Sequence, residues 1–323
     1  MGVSAGELSD RAVPTSERQQ TARRDVLRRW LLIAPAGLVT VVFMVLPMLS
    51  MAHISVLQPA QFGGVQWGHY TPAAYLQFFY ERDLEDHLAL NGDYVSIFSR
   101  SFLLSAVTTL VCLLIGFPAA LYMALQDRRR REVLLLLVTI PFWTNLLVRT
   151  YALILLLRNG GLIDSALSHL GVGGPLNWMY TPLAVQIGLT YAFLPFMVLP
   201  IYTSLEKLDW RLVEAAFDLG ATRSRALRRV IWPLALPGVV SGCVLVFAPA
   251  LGSYFIPDLL GGAKTLMIGN LIQNQFGSAR DWPFGAALSF ALLAVVLLAM
   301  LLIARRSRGG PQVQLQVAAG EVQ

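Results

Sequence analysis

The chain has 323 residues, of which 56% are hydrophobic and 14% are charged, and its mean hydropathy is +0.60. Soluble domains carry about 25% charged residues, so this composition excludes an ordinary soluble protein and indicates an integral membrane protein. The net charge of +6 is not a sign of nucleic-acid binding, because the basic clusters flank long apolar runs, where the positive-inside bias accounts for them.

Six apolar runs are long enough to cross a bilayer as helices, the conformation that pairs every backbone polar group within hydrocarbon. They lie near residues 30–52, 101–125, 133–157, 182–204, 234–257 and 283–304. The first run is longer than the apolar core of a signal peptide, so we expect a retained anchor. Pro195 and Pro200 are predicted to interrupt the fourth helix, and prolines and glycines from Pro237 to Pro257 the fifth. Such breaks at membrane depth are typical of helices that line a pathway.

The distribution of charge predicts the orientation. Of the 25 Lys and Arg residues, 19 lie in the two tails and in the loops 126–132 and 205–233, whereas the opposite loops carry five basic and eight acidic residues. Cytoplasmic loops are rich in Lys and Arg, so both termini are predicted to be cytoplasmic. The predicted organisation is a mobile tail (1–28), a first transmembrane helix (29–53), an external loop (54–96), a core with five further transmembrane helices (97–305) and a second tail (306–323).

The external loop is too aromatic for a linker, and we expect it to fold against the external face of the helices. Thr71 and Pro72 are typical of a helix start, with Thr as N-cap and Pro at the first helical position, ahead of residues 73–79. The acidic run 81–86 is either a solvated surface or a docking patch for an external partner.

The chain lacks the residue patterns of common catalytic and metal sites. There is no GxxxxGK[ST], HExxH or GxSxG sequence, and the four histidines form no cluster. Cys112 and Cys243 lie inside apolar runs and are predicted to be small buried hydrophobic residues. We therefore expect no catalytic residue, no metal or cofactor bound by this chain, and no enzymatic activity.

The segment 205–233, here called the elbow, has the pattern of two helices joined at a glycine. Gly220 is predicted to end the first helix in the left-handed conformation, and Thr222 to cap a second, short basic helix. The elbow could lie on lipid headgroups as an amphipathic helix or bind a cytoplasmic partner. Apolar residues recur at helical spacing on one face of the first helix, which we expect to be buried: Leu208, Leu212, Ala215 and Leu219.

The elbow resembles the signature of permease subunits of bacterial ATP-binding-cassette importers, which reads E-A-A, three residues, G, nine residues, I, one residue, L-P. The matching positions are Glu214, Ala215, Ala216, Gly220, Val230 in place of Ile, Trp232 in place of Leu, and Pro233. The resemblance implies an all-α protein with the type I importer permease fold in a bacterial inner membrane. It also implies that Glu214, Ala215, Ala216, Gly220 and Pro233 belong to a coupling contact with an ATPase.

The same resemblance implies the partners: two copies of that ATPase, which would use the ATP, a second similar permease, an external substrate-binding protein and the lipid membrane. A narrower resemblance, to the spermidine/putrescine permease group, is carried by residues 141–152, 194–200, 257–262, 268–270 and 281–287. It implies transport of polyamines. Relatives in that group are assigned to opines and phosphonates, so these cargoes stay open. The alternative from a different functional class is a secondary transporter that works alone. Ion coupling in such a transporter requires acidic residues near the middle of a span, and the six apolar runs contain none there.

A polyamine pathway requires carboxylates and aromatic faces, since cation–π contacts contribute about 0.5–2 kcal/mol. The candidates are Trp143, Tyr151, Tyr191, Tyr254 and Asp258. Aromatic residues also gather at membrane interfaces, and Asp258 could instead cap a turn beside Gly261.

Three other polar residues, Asn145, Gln186 and Thr190, are expected to line the pathway or to bond between helices. Arg149 is the basic residue inside a span, a position that is costly and usually functional. Its charge would repel a polycation unless Asp258 or a partner neutralises it. It is therefore a candidate for structural pairing or for binding an anionic cargo.

Overall fold

The computed structural model describes residues 34–78, 80–82, 88–90, 92–169 and 178–307. The predictions for the tails 1–28 and 308–323, and for acidic residues 83–86, lie outside these residues. In the part that is described, six helices are long and apolar enough to span a membrane, as the sequence predicted: Ala34–Ile54, Asp93–Ala124, Leu146–Ala166, Pro182–Glu206, Arg223–Leu251 and Trp282–Leu302.

The chain divides into two compact units, Met1–Ile54 and Ser55–Gln323. Helix α1, Ala34–Ile54, is the described part of the first unit and contains a π-helical turn at Val41–Val45. Two hydroxyl groups of this helix donate to carbonyls one turn earlier, Thr40 to Ala36 and Ser50 to Leu46, both at 2.9 Å. These bonds satisfy the two hydroxyl groups of a helix that is mostly apolar.

The second unit opens with two antiparallel strand pairs that the sequence analysis did not predict. Strand β1, Leu57–Pro59, pairs with β2, Val65–Tyr70. After a single helical turn, α2 at Ala73–Leu76, strand β3, Tyr80–Arg82, pairs with β4, Leu88–Leu90. The predicted helix start therefore leads to a single turn. Its position was wrong by one residue, because Pro72 is the N-cap and Ala73 the first helical residue, although the Thr71 hydroxyl accepts the Ala73 N–H at 3.2 Å.

This segment folds against the ends of the later helices, as its aromatic content predicted. The Phe78 ring lies 6.1 Å from that of Phe98 and 5.6 Å from that of Phe284, and Tyr94 lies 5.0 Å from the same Phe284 ring. The Gly64 N–H donates to the Arg280 carbonyl at 2.9 Å. Buried aromatic contacts of this kind hold a loop in place.

The remaining helices follow in chain order. They are α3 (Asp93–Ala124), α4 (Arg128–Trp143), α5 (Leu146–Leu157), α6 (Leu162–His169), α7 (Pro182–Glu206), α8 (Arg211–Asp218), α9 (Arg223–Ala226), α10 (Trp232–Leu251), α11 (Ile268–Phe276) and α12 (Trp282–Ser307). Helices α3, α7 and α10 pack against one another and form the centre of the unit, with Cys112, Met197, Ile201 and Val246 buried between them.

Glycines allow α7 and α10 to approach closely. A Cβ added at Gly238 would lie 2.4 Å from both the Pro200 carbonyl oxygen and the Ser204 hydroxyl, and one at Gly242 would lie 2.8 Å from the Met197 sulfur. These two glycines are four residues apart on one face of α10. Small residues at this spacing are the usual means by which membrane helices bring their backbones together.

The predicted interruption of the fourth and fifth spans was wrong for most of their length. Helix α7 runs through Pro195 and Pro200, and α10 runs through Pro237 and Pro249. A proline removes one N–H, and packing between membrane helices compensates for this loss. The fifth span breaks only after Leu251, at residues 252–254.

The third predicted span, 133–157, is divided into α4 and α5. Thr144 and Asn145 adopt extended backbone conformations, with ψ of 143° and 138°. The Asn145 side chain accepts the Leu147 N–H at 2.8 Å and so caps α5. Asparagine is among the best N-cap residues, and this local bond gives the chain a new helix start in the middle of the apolar run.

Candidate functional site

The elbow forms the two helices that its sequence predicts. Helix α8 ends with two backbone bonds, from the Gly220 N–H to the Phe217 carbonyl at 2.8 Å and from the Ala221 N–H to the Ala216 carbonyl at 2.9 Å. Gly220 has φ of +78°. This bonding is the Schellman motif, in which glycine is favoured because a side chain strains the left-handed conformation. Gly220 therefore sets the angle of the elbow.

The second half of the elbow leads without a loop into the membrane. The Thr222 hydroxyl accepts the Arg225 N–H at 3.4 Å and caps α9, as predicted. A π-helical turn, Leu227–Ile231, then joins α9 to α10, where Pro233 lies in the first turn. At the other end of the elbow, an Arg131 guanidinium nitrogen lies 3.1 Å from a Glu206 carboxylate oxygen, which connects the start of α4 to the end of α7.

The apolar face that was predicted to be buried is mostly exposed. Leu208, which precedes α8, packs against the core, whereas Leu212, Ala215 and Leu219 are exposed. Leu219 is 89% exposed, and Leu212 is 50% exposed, whereas Val213 is 7% exposed and is the buried residue of this helix. Helical spacing identifies residues that share a face but not the side on which that face lies. The side packed on the bundle is the one that carries Val213, beside Trp210 and Leu227. Within the described residues, Leu212 and Leu219 thus form an exposed apolar surface.

The elbow surface is also basic. A recess of about 490 Å³ is lined by Thr222, Ser224, Arg225, Arg228 and Arg229, and one of about 310 Å³ beside it is lined by Ala216, Leu219, Ala221, Arg225, Ala226, Arg229 and Val230. Glu214 and Ala215 are exposed on the same helix as Leu219, and Glu214 has no ion pair within the described residues. Apolar and cationic groups side by side suit a protein partner with apolar and acidic groups.

The candidate pathway residues lie on elements that pack together. Helices α5 and α7 and the π-helical turn Pro257–Gly261 share one apolar cluster, whose buried residues are Leu157, Ala184, Val185, Leu189, Ala192, Ile256, Leu260 and Met267. The candidate side chains do not enter this cluster. Tyr151, Tyr191 and Asp258 are exposed, and Trp143 on α4 is 88% exposed. The single chain therefore displays them on its surface instead of enclosing them in a cavity.

Arg149 and Tyr254 occupy more enclosed positions. Within the described residues, the Arg149 Nε and Nη1 atoms are buried and have no hydrogen-bond partner, so the predicted structural pairing is not found there. The Tyr254 carbonyl accepts the Asp258 N–H at 3.0 Å and the Asn270 side-chain amide at 2.9 Å. Tyr254 thereby anchors the break that follows α10.

Several polar residues turn out to join helices. The Gln186 amide donates to the Thr108 hydroxyl at 2.9 Å, which fits the predicted bond between helices. Two such residues were missed by the sequence analysis. Asn270 is one, and the other is Ser101, whose hydroxyl accepts the Ile268 N–H at 2.8 Å. The sequence shows only that each residue is polar among apolar neighbours. It does not show which distant backbone group will be its hydrogen-bond partner.

Comparison with known proteins is consistent with this architecture. The family of binding-protein-dependent transport system inner membrane components matches residues 116–308. The spermidine/putrescine transport system permease protein PotB of Escherichia coli (strain K12) is 47% identical over 216 residues, which are 67% of this chain and 78% of that protein. PotB of Haemophilus influenzae is 45% identical over 213 residues, 66% of this chain and 74% of that protein.

A solved structure supports the fold. The bacterial ABC transporter involved in the import of the acidic polysaccharide alginate has a chain that aligns with a TM-score of 0.71 and 16% identity, over 89% of this chain and 98% of that one. At this identity the likeness concerns the fold alone. Together with the two PotB proteins and the family match, it leads to one conclusion: the chain belongs to the family of binding-protein-dependent transport system inner membrane components, the permease subunits of ATP-binding-cassette importers.

Proposed function

We propose that this permease carries polyamines such as spermidine and putrescine into the cell, driven by ATP hydrolysis on a separate subunit. The observation that carries the proposal is the similarity to the two PotB permeases, which extends over two thirds of the chain. The exposed aromatic residues and Asp258 provide the chemistry that a polyamine requires, because carboxylates pair with ammonium groups and aromatic faces attract them.

The assembly we propose has a second, similar permease on the surface that displays Trp143, Tyr151, Tyr191 and Asp258. A pathway between two permeases would enclose side chains that one chain leaves exposed. An external binding protein would deliver the cargo, and two ATPase copies would bind on the cytoplasmic side. Both termini lie in the cytoplasm in this arrangement, since the basic loops are there.

We infer that the elbow is the contact with the ATPase. Glu214, Ala215 and Ala216 lie on α8, and Gly220 turns the chain towards Pro233 at the start of α10. The exposed Leu212 and Leu219 supply apolar area, and the arginines beside them supply charge. Movement of the ATPase would reach the membrane through α10, because the π-helical turn joins the elbow to that helix directly.

Transport assays test the cargo. In a strain without other polyamine importers, radiolabelled spermidine or putrescine uptake is expected to require this chain together with its ATPase and binding protein. Uptake of an opine or a phosphonate, with none of either polyamine, would overturn the proposed cargo but not the importer class. Ion-driven uptake by the purified chain alone in liposomes would instead support a secondary transporter and contradict the ATP-driven mechanism.

Substitution of Gly220 tests the elbow. Gly220→Val forces a β-branched residue to φ of +78°, a conformation that costs roughly 1–2 kcal/mol for an L-residue. We expect uptake to fall by about tenfold, the equivalent of 1.4 kcal/mol, with an unchanged amount of protein in the membrane. Gly220→Asn is the control, since asparagine tolerates this conformation and no atom lies within 4 Å of the added Cβ. Normal uptake by the valine variant would refute the role assigned to Gly220.

A further inference from the structure

Four consecutive arginines open helix α4, and they differ in their partners. Arg128 forms an ion pair with Glu132 at 3.1 Å, and Arg131 forms one with Glu206 at 3.1 Å. Arg129 and Arg130 have no ion pair within the described residues, and both are exposed. Positive charge in the first turn of a helix is unfavourable, because the helix dipole is positive there too. Arg129 and Arg130 therefore place two exposed guanidinium groups at the start of α4, next to Asp127 at its N-cap.

These two arginines line a recess with mixed chemistry. The recess has a volume of about 330 Å³ and lies between the end of α3 and the start of α4, with Tyr122, Gln126, Val133 and Leu134 as its other lining residues. Its polar side offers two guanidinium groups, a phenol and an amide, all of which can donate hydrogen bonds to an oxyanion. Its other side is apolar.

The apolar side continues along α4. Val133, Leu136, Leu137 and Ile140 are exposed, and their spacing of three, one and three residues places them on one face of the helix. Arg129 precedes Val133 by four residues and begins the same row. Since α4 rises about 1.5 Å per residue, the row extends about 10 Å from Val133 to Ile140. A cationic recess is thus followed by an apolar strip that leads away from it.

We propose that this recess and strip bind an anionic phospholipid, with the phosphate headgroup between Arg129 and Arg130 and an acyl chain along Val133 to Ile140. Basic recesses between transmembrane helices on the cytoplasmic side are suited to acidic headgroups. A free phosphate would use the arginines but not the apolar row, whereas a phospholipid uses both, because it carries a phosphate and an acyl chain in one molecule. The proposed lipid site ends at Ile140, one turn before Trp143, and its lining residues lie outside the elbow.

The test uses the full-length chain, purified and reconstituted in nanodiscs of phosphatidylcholine with a small fraction of phosphatidylglycerol. Native mass spectrometry counts the phosphatidylglycerol molecules retained after release from the nanodisc. Each basic residue near an anionic surface contributes roughly a fivefold factor in affinity, so Arg129→Gln/Arg130→Gln is expected to weaken retention by roughly 30-fold. Arg129→Lys/Arg130→Lys, which keeps both charges, should retain most of the lipid.

A matched control removes two exposed charges that lie away from the recess. Arg100→Gln/Arg158→Gln alters residues outside the elbow and outside the recess lining and is expected to leave phosphatidylglycerol retention within about twofold of the original chain. The proposal fails if this control loses as much lipid as the Arg129 and Arg130 variant, or if the original chain retains phosphatidylcholine equally well. It also fails if inorganic phosphate at millimolar concentration displaces the lipid, because the apolar row would then contribute nothing.

Discussion

Replacing Gly238 with valine is expected to separate α7 from α10 and to destabilise the bundle strongly. The added Cβ alone would lie 2.4 Å from the Pro200 carbonyl oxygen and from the Ser204 hydroxyl. The carbonyl belongs to the backbone of a helix and cannot rotate away. Overpacking a well-filled core costs about 1–3 kcal/mol, and contact with fixed backbone places Gly238→Val at about 3 kcal/mol, the upper end of that range.

The measurement is thermal unfolding of the detergent-purified chain, followed by size-exclusion chromatography of heated samples. Gly252→Ala, at the C-cap of the same helix, is the control, since the nearest atom to its added Cβ is 3.9 Å away, and it should unfold at the original temperature. If Gly238→Val unfolds at the temperature of this control, the close approach of α7 and α10 is not required for stability.

Replacing Leu219 with glutamate is expected to abolish binding of the ATPase while the permease itself folds normally. Leu219 is 89% exposed, so the substitution costs the isolated chain almost nothing. In a complex, the same carboxylate would be placed in an apolar contact, and burying an unpaired charge costs several kcal/mol. We expect copurification of the ATPase to fall by at least about 100-fold, the equivalent of 2.7 kcal/mol.

Leu219→Met is the control for this experiment, because methionine preserves both volume and apolar character. It should retain the ATPase at the original level. Thermal unfolding of both variants establishes that the permease is intact. An ATPase that binds Leu219→Glu as well as it binds the original chain would show that the exposed face of α8 lies outside the contact, and the elbow would then be an amphipathic helix on lipid headgroups.

The sequence was sufficient for features that depend on local chemistry. The number of spans follows from the length of apolar runs, and the elbow follows from Gly220 and Thr222, whose backbone and hydroxyl bonds are formed with residues three to five positions away. The bond from the Ala73 N–H to the Thr71 hydroxyl at the start of α2 is local in the same sense. Such bonds require no knowledge of the rest of the chain.

Features that depend on distant residues were not predictable. Gly238 was expected to break a helix, and it serves instead to bring Pro200 of another helix close. This packing role of Gly238 cannot be predicted without knowing that Pro200 lies next to it. The strand pairs between Leu57 and Leu90 are equally hidden, because their strands are only three to six residues long and carry little alternation. The exposed side of α8 depends on where Val213 finds its partners.

The pathway candidates illustrate the same limit. Trp143, Tyr151 and Tyr191 were chosen by residue type, and the structure places them on the exposed faces of three different helices. Side-chain chemistry indicates which residues could bind a cation. The spacing of residues along one chain does not indicate which of them would face a second chain.

The direct connection between the elbow and α10 has a mechanical consequence. The helical stretch Arg223–Leu251 has 29 residues without a loop, and Gly238, near its middle, is where α10 touches α7 most closely. If this stretch tilts as one rigid rod about Gly238, it is a lever about 40 Å long with its fulcrum near the centre. A tilt of about 10° about that point moves each end by roughly 3–4 Å in opposite directions. A displacement of the elbow at one side of the membrane would thus produce an equal and opposite displacement at the other side, where Leu251 and the break that follows it lie.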